Sequence, residues 1–375
     1  MKKVGSSTPL VSIIIVNWNG IEDTKLCLKH THEQSYPHIE IIVVDNGSTD
    51  DSLDYLREYR GIKLVENSKN LGFSGGHIAG YKAAKGEYIL LLNNDAVMDN
   101  DYVKNAVSSM QTDKKIGALG GRAYLWDAEN KLFDTTNEFY SYQNINPVTA
   151  EGIFARSDEG VLQEVNNVSG SCVMVRRSAV DKVGYLHDPF FAYYEESDLF
   201  ARMKRAGYKI VYHPKLAIWH ANGKTANRKA PTFAYYMMMR NRFRFAVRNF
   251  DSWSLRRFLK FYTKMGVVSI IKSFLPAKRR SMHQAYAKAF FYNLVCGWLP
   301  FLERHQLKKT LGRSNYNALI VREQTEISVV VVCSSVEQLD KCVALAANLI
   351  PTDELLIVTS NPTVRKSLSS LKNKP

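Results

Sequence analysis

The stretch that decides the fold is Tyr88-Ile89-Leu90-Leu91-Leu92-Asn93-Asn94-Asp95-Ala96. Ile89 to Leu92 are consecutive apolar residues, which reads as a short strand buried on both faces, because such a strand needs no polar alternation. The run stops at Asn93-Asn94-Asp95 and resumes as Ala96-Val97-Met98. In open α/β folds ligands bind outside the carboxyl ends of the strands, where Asp95 would stand. A carboxylate there suits a hard divalent cation shared with substrate phosphates. Taken alone, Asn-Asn-Asp reads first as a turn, since all three residue types favour turns.

Two earlier stretches repeat the pattern. The β-branched run Leu10 to Val16 ends in Asn17-Trp18-Asn19-Gly20, and a helical pattern around Leu26 and Leu28 stops before Ser35-Tyr36-Pro37. The run Glu40 to Val44 then stops at Asp45-Asn46-Gly47-Ser48-Thr49-Asp50. Strand, helix and strand at this spacing predict a right-handed βαβ unit with a parallel pair. Asp45 falls at a second strand end. A third strand, Ile62 to Val65, leads to Asn67-Ser68-Lys69-Asn70-Leu71-Gly72-Phe73-Ser74-Gly75-Gly76. Gly72, Gly75 and Gly76 allow close backbone approach, and a helix over 77–84 would turn its positive end to a diphosphate. A surface loop is the alternative. The first strand is not followed by GxGxxG, so the dinucleotide fingerprint is absent.

Later, Gly170 to Val175 reads as another strand, and Glu195-Glu196-Ser197-Asp198 packs three carboxylates into four positions. Acids at a helix start favour its positive end; they also suit a general base, which takes a proton from an attacking hydroxyl. Ala201 to Tyr208 completes that helix with basic residues and Gly207. Strands around Ile210-Val211-Tyr212 and Ala217-Ile218-Trp219 follow, and His220 ends the second.

In order and spacing, residues 11–17, 43–50, 70–73 and 91–95 resemble glycosyltransferase family 2, and within it the bacterial rhamnosyltransferase-like branch. The resemblance covers about residues 10–225. It implies an α/β fold of the GT-A kind, a Rossmann-like, mostly parallel sheet flanked by helices, and inverting transfer from a nucleotide sugar. It implies that Asp45 contacts the nucleobase and that Asn17, Asn70, Gly72, Gly75, Asn93 and Asn94 line the nucleotide-sugar site. A divalent cation, Mn2+ or Mg2+, would be held by Asp95, with His220 able to complete the shell. The family's DxD-type motif reads Asn93-Asn94-Asp95 here, so only its last position is charged. The family's Glu-Asp-x-Asp-Leu stretch matches residues 195–199, which places the base at Glu196, one methylene longer than the usual Asp, with Glu195 and Asp198 as supporting acids.

The chain of 375 residues has a net charge of +14. Residues 231–312 hold sixteen Lys/Arg against Asp251 and Glu303, so this one segment carries the whole excess and is a candidate surface for an anionic partner. Its uncharged run 289–302 is too short to span a membrane, and the aromatic stripe at 255–275, with cations between, fits a basic amphipathic helix lying on one, or a helical cap. Five scattered cysteines without a CxxC pair argue for a reducing compartment and against a zinc site. The first ten residues carry no apolar run of signal-peptide length. At the other end, Ile327 to Cys333 echoes residues 11–17 and Glu354 to Thr359 echoes 40–45, with Thr359 in place of the aspartate. This reads as half a transferase fold, a vestige or the start of a second domain.

The expected organisation is a transferase domain at 1–230, a basic amphipathic helical region at 231–315 and a partial βαβ repeat at 325–375. The expected activity is inverting transfer of a sugar, rhamnose included, from a UDP- or dTDP-linked donor to a hydroxyl of a glycan or lipid-linked glycan. The setting would be cytoplasmic, on the inner, anionic face of the cell membrane. A nucleotidyltransferase, releasing pyrophosphate, and a non-catalytic donor-binding protein are the alternatives. Nucleic acid is not expected as a partner, since no recognition motif accompanies the basic segment.

Overall fold

The computed structural model describes residues 8–126, 132–136, 138–157, 160–221, 231–274, 280–311, 328–332 and 354–358. They belong to two compact units, residues 1–321 and 322–375. The first contains β1 (Val11–Asn17), α1 (Ile21–His32), β2 (Ile39–Asp45), α2 (Ser52–Glu58), β3 (Lys63–Glu66), α3 (Gly72–Ala83), β4 (Tyr88–Asn93) and β5 (Ala96–Met98). There follow α4 (Tyr102–Thr112), β6 (Ile116–Leu125), β7 (Phe139–Tyr140), β8 (Tyr142–Ile145), β9 (Gly152–Ala155), β10 (Gln163–Glu164), β11 (Asn167–Val168) and β12 (Cys172–Arg176). The unit closes with α5 (Arg177–Val183), α6 (Glu195–Arg205), β13 (Lys209–His220) and the helices α7 (Pro231–Asn249), α8 (Ser252–Phe274), α9 (Arg280–Cys296) and α10 (Trp298–Leu311).

The main sheet runs in the order β10-β13-β6-β12-β4-β1-β2-β3. Strands β3, β2, β1 and β4 are mutually parallel, as the βαβ reading requires, and β12 enters antiparallel between β4 and β6. Register decides the site. Asn17 stands opposite Asp45, and Val16 opposite Asn93, so the polar residues that end three apolar strands share one sheet edge. Alternate strand residues feed two cores: Ile13, Ile15, Val43 and Leu90 pack with α1 and α4, whereas Ile14, Val44 and Leu91 pack with α5 and α6.

Two elements differ from the sequence reading. Helix α3 opens at Gly72 rather than at 77, so the glycines are its first turns. A Cβ on Gly76 would lie 2.6 Å from Val16, and one on Gly80 2.5 Å from Ile14, so small residues let α3 press onto the sheet. The two strands expected around Tyr212 and Trp219 are one, β13, with a register shift between His213 and Ala217. Pro214, which has no N–H to donate, falls inside that shift.

Helices α7 to α9 build a third core from Phe243, Phe245, Phe250, Phe258, Tyr262 and Phe290, joined by Phe190 and Ala201 of the sheet region. The helical segment is thus packed into the same unit. Of its cations, Arg242, Arg244, Arg248 and Arg304 are buried, so only part of the positive excess is open to an anionic partner. Among the described residues, no helix is long and apolar enough to cross a membrane. In the second unit β14 (Ser328–Val332) pairs in parallel with β15 (Glu354–Val358); residues 333–353 and Thr359 lie outside the described residues.

Candidate active site

The sheet edge is a hydrogen-bonded polar cluster. Asn17 is wholly buried; its Nδ2 donates to Asp45 Oδ1 at 3.2 Å and to Ser48 Oγ at 3.1 Å, and its Oδ1 accepts from Thr24 Oγ1 at 2.8 Å. The backbone N–H of Ser48 holds Asp45 Oδ2 at 3.0 Å. Asn94 donates to Thr24 Oγ1 at 3.0 Å. Asn70 Oδ1 accepts from Asn46 Nδ2 at 3.1 Å and from the Gly72 N–H at 2.7 Å, which fixes the entry to α3. Gly72 has φ +74°, and a Cβ there would lie 2.5 Å from Phe191; only glycine fits. Gly75 is buried against Leu71 and Asp188, so Gly72 and Gly75 both serve packing.

Next to this cluster, β5 pairs with the end of β13 and sets His220 opposite Ala96. His220 Nε2 lies 3.2 Å from Asp95 Oδ1 and 3.2 Å from Asn93 Nδ2, and its Nδ1 is 3.1 Å from the Tyr140 hydroxyl. Burial works against the imidazolium, but Tyr140 and the Asp95 carboxylate outweigh it and push His220 up to about 10. Asn93 Oδ1 is buried and has no hydrogen-bond partner among the described residues. Two oxygens and, once a cation has displaced its proton, the His220 nitrogen would fit a small hard cation that takes its remaining ligands from a diphosphate and water. Asp95, His220 and Asn93 would hold it; no cluster of three or more His, Cys, Asp or Glu suited to a metal occurs among the described residues.

The three acids of α6 have different surroundings. Asp198 is wholly buried; Arg248 Nε reaches its Oδ1 and Arg202 Nε its Oδ2, both at 2.8 Å, and Asn249 Nδ2 adds a bond at 2.9 Å. Burial alone would raise its pKa, but Arg248 and Arg202 overcome this and hold it well below the usual carboxylate range. Its oxygens are engaged by donors, which makes it a structural anion rather than a supporting acid. Glu195 is buried, its Oε2 has no hydrogen-bond partner among the described residues, and burial together with Glu196 raises its pKa well above the ordinary value. Glu196 is half-buried and raised chiefly by burial.

Glu196 lines a cavity of about 530 Å3 with Phe139, Tyr140, Phe154, Arg156 and Tyr193 in its wall. Tyr140 belongs to that wall and its hydroxyl lies 3.1 Å from His220 Nδ1, so one side chain links the cavity of Glu196 to the Asp95–His220 pair. Room for Glu196 comes from Gly170, where a Cβ would sit 3.2 Å from its Cγ. Sequence reasoning passed over Phe139, Tyr140 and Phe154. They lie on strands of two to four residues, too short to show a period.

Immediately before Glu195 the backbone is strained. Phe191 has φ 63° and ψ −60°, with the Ala192 N–H bonded back to Phe190 O at 2.7 Å, a rare γ-turn. Tyr193 and Tyr194 follow with φ 71° and 73°. Each such residue costs on the order of 1–3 kcal/mol and persists only where its surroundings enforce it.

Residues 12–184 match the family model for glycosyl transferase family 2. Over this stretch the chain is similar to that family. Among curated relatives, the transferase is 25% identical over 237 residues to the low-salt glycan biosynthesis hexosyltransferase Agl10 of Haloferax volcanii, a match spanning 62% of this chain and 74% of that protein. It is 24% identical over 212 residues to the poly-beta-1,6-N-acetyl-D-glucosamine synthase of Staphylococcus epidermidis, spanning 56% and 49%. The transferase thus spans about half the length of that synthase. Its fold is similar to that of S. aureus TarS 1–349, solved in complex with UDP-GlcNAc, with a TM-score of 0.50, 14% identity and coverage of 84% and 93%. The fold is GT-A: a mixed, mostly parallel sheet between helices.

Proposed function

We propose that the transferase moves one sugar, with inversion, from a UDP- or dTDP-linked donor to a hydroxyl of a growing cell-surface glycan. The observation that carries this reading is Tyr140, which lines the cavity of Glu196 and bonds His220, the partner of Asp95. Asp45 and its asparagine neighbours would seat the nucleotide at the sheet edge. The acceptor hydroxyl, lodged in the aromatic cavity, would give its proton to Glu196 as its oxygen bonds to the anomeric carbon. The bond from that carbon to the diphosphate oxygen breaks on the opposite face, and the electron pair leaves with the nucleoside diphosphate. A divalent cation held by Asp95, His220 and Asn93 would neutralise charge on that leaving group. The names of the two relatives favour a hexose or N-acetylhexosamine donor. A screen of UDP-, dTDP- and GDP-sugars, dTDP-rhamnose included, tests the reading. Release of nucleoside diphosphate supports it, whereas release of pyrophosphate, or binding without turnover, overturns it.

The cation has its own test. Asp95→Ala should weaken manganese-dependent UDP binding, measured by calorimetry, on the order of tenfold or more, with a smaller loss in His220→Ala. UDP affinity indifferent to both EDTA and Asp95→Ala would make this a metal-free transferase.

We further propose that the enzyme works at the inner, anionic face of the cell membrane, where a lipid-linked acceptor would lie. The antiparallel contact of α8 and α9, with Gly266 against Phe290, is flanked by exposed Ile271, Phe274, Leu294, Val295 and Trp298. Arg256, Arg257, Lys260, Lys264, Lys272 and Lys288 are exposed on the same two helices, and residues 252–311 contain no acid except half-buried Glu303. Each cation near such a surface contributes roughly 1 kcal/mol, within a Debye length of about 8–10 Å. The full chain should sediment with vesicles containing acidic lipid and not with neutral ones. The Lys260→Glu/Lys264→Glu variant should bind on the order of tenfold more weakly. Equal sedimentation with both vesicle types would leave the helices as a cap alone.

A further inference from the structure

Asn241 lies in the middle of α7, wholly buried, with its side-chain amide turned to one short turn of the sheet region. Its Nδ2 donates to Phe190 O at 2.7 Å, Ala192 O at 2.6 Å and Tyr193 O at 2.9 Å. Its Oδ1 accepts from Arg240 Nε at 2.9 Å, which fixes the amide's orientation. Arg240 reaches the same turn, donating to Pro189 O at 3.0 Å and Phe190 O at 2.8 Å. A side-chain amide offers two N–H groups and an acceptor at one end, a set that a carboxylate or a hydroxyl of similar size lacks.

The held turn is the strained one, with positive φ at Phe191, Tyr193 and Tyr194, and it delivers the chain directly into Glu195 and Glu196. On its other side Phe191 O accepts from the Ser74 N–H of α3 at 3.0 Å. One turn therefore touches the donor-side helix, the acid-bearing helix and α7. Backbone in such conformations relaxes when its restraints are removed, and a shift of the order of an ångström at a reacting group is enough to slow a reaction about a hundredfold. We infer that Asn241 is a positioning residue: by holding the carbonyls of Phe190, Ala192 and Tyr193 it keeps the turn that presents Glu196 to the cavity. This rests on the reading of Glu196 as the base.

The test combines hydrogen exchange with kinetics on the full chain. Asn241→Ala should raise amide exchange in residues 190–196 on the order of tenfold, while exchange in α8 and α9 stays unchanged. With the donor found by the screen, turnover should fall on the order of a hundredfold, and the UDP dissociation constant should stay within about twofold. Asn241→Gln, which keeps both donors on a longer arm, should recover part of the rate. Unchanged exchange in 190–196 overturns the inference. So does loosening that spreads through α7 to α9, with the rate following only the folded fraction. Where Asn241→Ala fails to fold, Arg240→Gln removes two bonds to the same turn and should loosen the same segment; no change there overturns the inference equally. If Glu196→Gln retains turnover while Asn241→Ala loosens 190–196 and slows the reaction, the base assignment falls and the clamp stands. If no nucleotide sugar is turned over, the proposed function falls, and the exchange result still decides the clamp.

Discussion

Glu196→Gln is expected to retain UDP binding and to lose on the order of a hundredfold or more in transfer rate, the range for losing a general base. The amide keeps the shape of the side chain and its place beside Gly170, but it cannot take a proton. Wild-type rate should fall as the pH drops through the pKa of Glu196, which burial raises above the ordinary glutamate value of 4.5, and this acid limb should vanish in the variant. Near-normal turnover would move the base to Glu195. It would not move it to Asp198, whose oxygens are taken by Arg202, Arg248 and Asn249.

Asp198→Ala should have the largest effect on stability. The substitution leaves Arg202 and Arg248, each bonded to Asp198 and both buried, without their shared anion. Breaking a buried pair from one side costs about 3–5 kcal/mol, because the remaining charge is uncompensated. Arg248 keeps a second partner, Glu303, at 3.0 Å, which points to the lower part of that range. The pH dependence carries the expected sign. The folded carboxyl sits well below its ordinary value of 3.8, so its stabilisation is complete above that value and is lost as pH falls toward the depressed one. Urea unfolding midpoints of the two proteins at pH 7 and in acid measure both effects. A loss under about 1 kcal/mol at pH 7 would place this cluster with exposed ion pairs, which contribute little.

What the sequence revealed, and what it hid, follows from the range of the interactions. Strands β1, β2 and β4 are apolar runs that stop at Asn17, Asp45 and Asn93, so the sheet edge is written in local sequence. The acids of α6 are equally plain, but their division of labour is not. Asp198 differs from Glu196 through Arg202, one helical turn on, and through Arg248, fifty residues away, and Asn249, fifty-one away, neither of which has a local trace. Charge counting had the same limit in the helical segment: it registers Arg242, Arg244 and Arg248 as cations and cannot see that they are buried. The cavity wall was least legible, because the two residues of β7 and the four of β9 carry no pattern of their own. His220 could be placed at a strand end, yet its contact with Tyr140 spans eighty residues and has no local trace.

The separation between the turn at Phe190 and the amide at Asn241 also bears on how the enzyme comes into being on the ribosome. Synthesis proceeds from the N-terminus at about 5–20 residues per second, and segments fold as they emerge. Every carboxylate of the site has left the ribosome before Asn241 does, together with the strands that would seat a nucleotide. The nascent sheet can then assemble, but the carbonyls of Phe190, Ala192 and Tyr193 still lack the donor they bond in the finished protein. Donor binding and sugar transfer should therefore arise at different moments of biosynthesis. A stalled chain that ends before α7 would lack both the clamp on that turn and the Arg248 and Asn249 that hold Asp198.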